Sequence, residues 1–287
     1  DGWTVRPSAR TFDLESHGRT VEESFDVEVT VPDAEPGTYP IRFSATAPDG
    51  RSTTAETSLT VARPSGKAYR DIVLDDEPLA YWRLGDGPES ERAIDASGNA
   101  RHGSYHDPVV RGAPGALTGD DDTSARFAGG YVEIEDSPGI SPTGPFTIET
   151  WVRPDGAGTE QALVEKYDRP AFNGYALRMT ADGKAQGWVL GSAGNVHVTG
   201  SVTVRPGAWH HLALVYDGST LTVYVDGIAD RSVETTVAPG EGDTSLKLGA
   251  RGDDAQNRLT GQLDEPALYD RALTADDIAI RYLAGVS

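Results

Sequence analysis

Two segments of the chain alternate apolar and polar positions with the period of a β-strand. Phe146–Pro154 and Trp209–Gly218 each carry a large aromatic residue among apolar alternators, and a third run follows at Leu221–Gly227. Asp217-Gly218 and Asp226-Gly227 are hairpin signals, because Gly tolerates positive φ and Asp bonds its own backbone in tight turns. These runs predict a meander of antiparallel strands with aromatic side chains in the core.

The same alternation of apolar and polar positions, interrupted by turn residues, continues through residues 66–287. Thr274 followed three residues later by Asp277 is similar to a capping box and predicts a short terminal helix. Tyr69–Leu74 fits either a brief helix or an extended arm. So many strands with one late helix predict a two-sheet sandwich, closed by pairing of the first strand with the last. The predicted strands are 80–84, 125–128, 131–135, 146–153, 161–167, 174–179, 186–191, 195–203, 209–216, 221–226, 230–235, 245–249 and 261–270.

The first 65 residues carry a smaller pattern of their own. Alternation over Arg19–Val31 and Thr53–Val61, with a turn at Pro36–Ile41 and a hairpin signal at Asp49-Gly50, indicates four or five short strands. This spacing is typical of an immunoglobulin-like sandwich. Ala62–Gly66 has the composition of a linker. We therefore predict two domains, residues 1–65 and 66–287.

Composition and charge narrow the class of protein. Hydrophobic residues make up 37% of the chain, with 33 Gly and 18 Pro, which fits a turn-rich all-β protein. The chain has no cysteine, so disulfides and thiolate metal sites are excluded. The formal net charge of −20 argues against a nucleic-acid partner and against an anionic membrane, because both attract basic surfaces.

Four motifs in order resemble the laminin G-like, concanavalin A-like lectin/glucanase family of jelly-roll domains. Two are the strand segments at 146–154 and 209–218; the others are Ala80–Gly85 leading to Asp95–Gly103, and Leu263–Thr274. The resemblance covers residues 67–287. It implies a two-sheet jelly roll with a short C-terminal helix.

The preceding segment resembles a different module. Gly2–Pro7 and Val29–Pro40 look like the later part of the α-galactosidase-associated Ig-like module found beside catalytic domains of secreted glycoside hydrolases. We expect the first strand or two of this module to precede Asp1. The fold class expected for the whole chain is thus all-β, a partial Ig-like sandwich followed by a jelly roll.

Together the resemblances imply a secreted, extracellular, non-catalytic carbohydrate-binding module that targets an attached glycan-degrading enzyme to its substrate. The expected partners are a glycan or polysaccharide and an upstream catalytic domain of the same precursor. Two alternatives stay open: a structural or protein-contact domain packing on that catalytic domain, and a glucanase or lyase of the same fold. An exposed aromatic side chain on the concave sheet would favour sugar binding over a structural role.

Trp188 is the aromatic residue that best fits a sugar site. Trp82, Trp151 and Trp209 lie among apolar alternators and are predicted to be core, whereas Trp188 lies on a strand flanked by glycines. Aromatic rings stack on sugar faces while a few polar groups hold the hydroxyls. The alternatives are that Trp188 is packed and that the Asp168–Gly174 loop is an ordinary variable loop. The predicted carbohydrate-binding residues are Trp188, Arg178, Tyr167, Tyr175, Phe172 and Asn173.

The segment Asp95–Asn99 resembles a family loop that holds a structural calcium ion. Calcium takes six to eight oxygen ligands from carboxylates and carbonyls. The resemblance implies ligands from Asp95, Ser97 and Asn99, with Asp264 added if the last strand pairs with the first. The alternative is that Asp95 makes an Asx-turn to its own backbone.

Evidence for catalysis is weak. Glucanases of this fold carry a Glu-x-Asp-x-x-Glu strand motif, which puts two carboxylates on one face beside the scissile bond. The nearest approximation, Glu133–Asp136, has the wrong spacing, and Glu149, Glu165 and Glu265 are isolated in sequence. His210-His211 lies on a predicted core strand. We therefore expect this chain not to be an enzyme.

Overall fold

The structure is a computed structural model that describes residues 4–6, 28–30, 37–46, 49–61, 66–168, 171 and 173–287. It divides into two compact units, Asp1–Val61 and Ala62–Ser287. The division falls at the start of the segment predicted as a linker.

The described part of the first unit consists of two pairs of antiparallel strands. β1 (Thr4–Arg6) pairs with β2 (Glu28–Thr30), and β3 (Gly37–Thr46) pairs with β4 (Ser52–Val61). Asp49 and Gly50 turn between β3 and β4 as predicted, with Gly50 at φ +85°. Residues 19–27 and 31 of the predicted first strand lie outside the described residues, and the Ig-like sandwich stays a prediction.

The second unit is a sandwich of two eight-stranded antiparallel sheets. Sheet I has the strand order β15-β14-β13-β12-β19-β10-β7-β6. Its strands are β6 (Arg92–Ala93), β7 (Gly103–His106), β10 (Tyr131–Ile134), β12 (Gln161–Asp168), β13 (Asn173–Met179), β14 (Lys184–Gly191), β15 (Gly194–Thr203) and β19 (Leu246–Leu248).

Sheet II has the order β18-β17-β16-β11-β20-β9-β8, with β5 beside β20. This last pairing, Ala267 opposite Tyr81, joins the first strand of the unit to the last, as predicted. The strands are β5 (Ala80–Tyr81), β8 (Val109–Pro114), β9 (Thr123–Ala128), β11 (Phe146–Pro154), β16 (His210–Tyr216), β17 (Thr220–Val225), β18 (Ile228–Glu234) and β20 (Thr260–Tyr269).

One core fills the space between the sheets. Every second side chain of a strand points to the same face, so Ile148 and Leu214 of sheet II join Leu177 and Val189 of sheet I in a single buried cluster. Trp82 also lies in this cluster and is fully buried. The prediction of a two-sheet jelly roll is confirmed.

Two helices cover the outer face of sheet II. They are α1 (Tyr69–Asp75) and α2 (Ala275–Val286), and a 3₁₀ turn spans Pro138–Ile140. α2 begins with the predicted capping box: Thr274 Oγ1 accepts the Asp277 N–H at 3.1 Å, and Asp277 Oδ2 accepts the Thr274 N–H at 2.9 Å. Within the described part of the chain, neither helix has the length and apolarity needed to cross a membrane.

The helices give β11 two buried faces. Trp151, on the face opposite the core, packs in a second cluster with Tyr69 of α1 and Ile278 of α2, and Trp209 lies partly buried at its edge. Because α1 and α2 lie on sheet II, a functional surface is sought on sheet I. The face of sheet I that points away from the core is called the free face below.

Candidate functional site

Strand register places one row of side chains across the free face. Directly opposite residues of antiparallel strands point to the same side of a sheet, so the row can be followed from strand to strand. It runs from the edge of sheet I through the aromatic, hydrophobic and charged positions His197, Trp188, Ala176, Glu165, Lys247, Glu133 and Ser104. Trp188 thus lies on the free face of sheet I, in a row that also contains charged groups.

Trp188 is half-buried and held on two sides. Its indole N–H donates to Gln186 Oε1 at 2.6 Å, and Gln186 Nε2 donates in turn to Thr199 Oγ1 at 2.8 Å. The exposed ring of His197 stacks on the indole with centroids 4.3 Å apart and planes 22° apart. The surface that a ligand meets is therefore the Trp188–His197 pair, flanked by an amide and a hydroxyl.

Sequence reasoning missed His197, although the sequence held a signal for it. Gly191 and Gly194 face each other across a two-residue turn, and counting back along the hairpin puts residue 197 opposite residue 188. Gly187, next to Trp188, is explained by packing in the core and not by the candidate site. A Cβ at Gly187 would lie 2.1 Å from Leu214 of the facing sheet, so the core demands glycine there.

Arg178 lies beneath this aromatic surface in a buried ion pair. Its Nε and Nη2 donate to the two carboxylate oxygens of Glu165 at 2.9 and 3.0 Å, and Arg178 is only 5% exposed. The guanidinium lies 5.0 Å from the Tyr167 ring centroid and 5.7 Å from that of Trp188. Burial raises the pKa of Glu165 to about 7, against the opposing effect of Arg178.

The remaining predicted sugar contacts are dispersed. Tyr167 lies on the free face but is buried against Ala176. Tyr175 points the other way because side chains alternate along β13, and its hydroxyl donates to the Ile140 carbonyl at 2.7 Å inside the core. Asn173 lies at the end of β13, and Phe172 lies outside the described residues.

The facing ends of β12 and β13 border a small cavity. The cavity measures about 10 Å³, room for no more than a water molecule. Its lining includes Asn173 and the buried Lys166, whose ammonium group donates to the carbonyls of Gly242 and Thr244 at 2.7 Å each and pairs with Asp136 at 2.8 Å. This cavity is too small to receive a sugar ring.

The predicted calcium loop is held together by its own backbone. The two carboxylate oxygens of Asp95 accept the N–H groups of Tyr81, Ser97 and Arg101 at 3.0, 2.9 and 2.9 Å. The Asn99 side-chain amide donates to the carbonyls of residues 78 and 79. These contacts match the Asx-turn alternative, because the Asp95 oxygens are already engaged by donors.

Asp264 contacts a different part of the second unit. Its Oδ2 accepts the Ala116 N–H at 2.7 Å, while Oδ1 is buried without a hydrogen-bond partner. Burial raises the pKa of Asp264 well above its usual value. Among the described residues no three His, Cys, Asp or Glu side chains are grouped to hold a metal. Calcium binding by Asp95, Ser97, Asn99 and Asp264 stays a prediction.

The isolated glutamates are structural acids. Glu149 is fully buried and accepts from Arg281 Nε and His211 Nε2 at 3.0 Å each. Glu265 is also fully buried and pairs with Arg83 at 2.9 Å. With Glu165 bound to Arg178, none of the three carboxylates weighed as catalytic is exposed to a substrate.

A protein-family model described as the concanavalin A-like lectin/glucanases superfamily (laminin G) matches residues 126–279. A search of curated protein sequences finds no match. Among solved structures, domain 4 of AbnA, a GH43 extracellular arabinanase from Geobacillus stearothermophilus in complex with arabinotriose, is similar with 20% identity and a TM-score of 0.56. The match covers 71% of this chain and 98% of that one.

Toxin binding domains are also similar. The binding domain of Paraclostridial Mosquitocidal Protein 1 has 18% identity and a TM-score of 0.57, over 73% of this chain and 52% of that one. Botulinum neurotoxin type C, whose cell entry depends on interaction with two ganglioside molecules, has 11% identity and a TM-score of 0.57, over 75% and 52%. This chain spans about half the length of those two toxin chains. At such identities the likeness shows a shared fold.

Proposed function

This chain belongs to the concanavalin A-like lectin/glucanase superfamily, and from that premise we propose that its second unit is a non-catalytic module that binds a glycan on the free face of sheet I. The observation that carries the proposal is the Trp188–His197 pair. It presents aromatic surface beside the Gln186 amide and the Thr199 hydroxyl. An apolar ring with a few placed polar groups is the combination that orients a sugar.

Each side chain of the proposed site has a distinct task. The ring of His197 and the exposed part of Trp188 contact the C–H face of a sugar ring. The exposed Thr199 exchanges hydrogen bonds with its hydroxyls, while the buried Gln186 holds the indole and the Thr199 hydroxyl in place. Arg178 holds the rings of Tyr167 and Trp188 from beneath. One stacked pair in an open site gives weak binding, with a Kd of about 0.1–1 mM, or about −4 to −5 kcal/mol.

Two proteins of similar fold support the proposal through the carbohydrates named with them. The arabinanase domain was solved with arabinotriose, and the neurotoxin interacts with gangliosides. We further propose that the module is secreted and serves an upstream catalytic domain of the same precursor. By holding that domain near its polysaccharide, weak binding would raise the effective substrate concentration.

Replacing Trp188 tests the site directly. We expect Trp188→Ala to abolish retention on a glycan array or on an immobilised oligosaccharide panel that includes arabinotriose, while the melting temperature changes by a few degrees. His197→Ala, at an exposed position, should weaken binding with no change in melting temperature.

Tyr131→Ala is the matched control. Tyr131 also lies on the free face and also stacks on a histidine, His106, with centroids 4.5 Å apart. Its strand is four positions from that of Trp188 in sheet I, which is about 19 Å at ordinary strand spacing. We expect Tyr131→Ala to leave glycan binding intact. If Trp188→Ala unfolds the unit, or binding survives it, the site is misplaced and the structural or protein-contact alternative gains.

A further inference from the structure

The cations near the centre of the free face already have acidic partners. Arg178 makes its two-pronged contact with Glu165. Next along the row, the Lys247 ammonium lies 3.4 Å from Glu133 Oε1 and donates to Ser245 Oγ at 2.7 Å. A two-pronged guanidinium–carboxylate contact is the strongest form of such pairing and leaves little of the group for a ligand.

The loop that follows β19 repeats this arrangement. Its Arg251 pairs with Asp253 at 2.7 Å and also contacts Asp254. The carbonyl of Gly252 in the same loop accepts a hydrogen bond from Lys247. The loop therefore closes over the middle of the face and adds two carboxylates for one guanidinium.

Toward the ends of the face, Lys184 and Arg258 bond to neutral acceptors, and Arg92, opposite Ser104 at the far end of the row, is exposed. Lys184 donates to the Ser201 carbonyl and the Thr203 hydroxyl at 2.6 Å each. Arg258 donates to the carbonyls of Ala255 and Gly129 at 2.7 and 2.6 Å. Among the described residues, Arg178 is the cation in contact with the Trp188 ring, and the whole chain has a formal net charge of −20.

We propose that this face selects uncharged glycans and rejects sialylated, sulfated and uronate glycans, an inference that rests on the proposed function. An anionic ligand at Trp188 would meet a guanidinium whose charge is already balanced by Glu165. To reach it, the ligand would have to displace a buried carboxylate and leave that carboxylate uncompensated, which is costly. The net negative charge of the chain repels an anionic ligand further.

Matched neutral and acidic glycans test the selection. The full chain is applied to an array that carries neutral oligosaccharides beside their acidic counterparts, including lactose with 3′-sialyllactose and a galactan trisaccharide with trigalacturonate. In 0.15 M salt at pH 8, where Glu165 is mostly ionised, we expect each acidic member to bind at least about tenfold more weakly than its neutral partner, a difference of about 1.4 kcal/mol. Equal or tighter binding of the acidic members overturns the inference and leaves the proposed function standing. An array with no binding at all removes both.

Glu165→Gln tests the cause. The amide keeps the shape of Glu165 but removes its charge, so Arg178 regains a net positive charge under the aromatic pair. The ratio of neutral to acidic binding should then fall several-fold, whereas mere loosening of the site would weaken both ligands alike and leave the ratio unchanged.

Glu133→Gln provides a second variant should Glu165→Gln fail to fold. Its side chain is 33% exposed, and its replacement frees Lys247 in the same row. It should shift the ratio in the same direction and by less, because Lys247 lies farther from Trp188. An unchanged ratio in the variant that folds contradicts the assigned cause.

Discussion

Arg178 and Glu165 show how the task of a residue follows from its neighbours. The sequence predicts Arg178 as a sugar contact and treats Glu165 as an isolated acid. In the structure they form one buried pair, with the guanidinium near the rings of Tyr167 and Trp188. Arg178 is thus placed to position the aromatic surface rather than to touch the ligand.

The pKa of Glu165 leads to a pH prediction for stability. Because burial raises this pKa from its ordinary value of about 4.5 to about 7, the folded state binds the proton more tightly than the unfolded state. Stability contributed by this group is therefore present below about pH 4.5 and is lost as pH rises toward 7. The wild type should lose stability relative to Glu165→Gln between pH 5 and pH 8, measured by urea unfolding. If the wild type instead gains stability relative to Glu165→Gln over this pH range, the ion pair with Arg178 favours the ionised carboxylate.

Asp95 gives a second prediction at the residue scale. Its three backbone hydrogen bonds tie the loop at 95–101 to β5, so Asp95→Ala leaves three donors without their acceptor. We expect the variant to melt several degrees lower, and by the same amount with millimolar calcium and with chelator. If chelator lowers the melting temperature of the wild type but not of Asp95→Ala, the loop holds calcium.

At the scale of elements, a buried ion network fixes helix α2 on sheet II. Arg281 of α2 is 1% exposed at its side chain and binds both Glu149 of β11 and Asp76 after α1. Burial opposes ionisation of Glu149, but the Arg281 and His211 side chains hold its pKa below the usual value. The helix is therefore anchored by charge as well as by the packing of Ile278.

Replacing Arg281 should lower the free energy of unfolding far more than replacing Arg271. Arg281→Met leaves the buried Glu149 without its guanidinium partner, and removing one partner of a buried ion pair typically costs about 3–5 kcal/mol of unfolding free energy. Arg271 binds the same Asp76, but its side chain is 45% exposed, and Arg271→Met should cost less than about 1 kcal/mol. Chemical denaturation of both variants provides the comparison. Similar losses would mean that Glu149 is not held through Arg281.

At the scale of the whole molecule, most of the second unit is predictable from local pattern. Strand alternation, the Asp-Gly turns and the capping box at Thr274 each act over a few residues, so the sequence displays them directly. The same locality explains the errors in the site. Tyr175 and Trp188 look alike as aromatic residues on strands, yet alternation and register put Tyr175 in the core and Trp188 on the free face.

The sequence by itself determined the all-β class, the jelly-roll family, the terminal helix and the acidic character of the chain. These depend on periodicity, short motifs and composition, which are complete within the sequence. Only the tertiary structure decided that His197 covers Trp188, that Glu165 neutralises Arg178 and that Asp95 serves its own loop. Each of these depends on which residues of separate strands or turns meet, and sheet pairing across long sequence distances sets that.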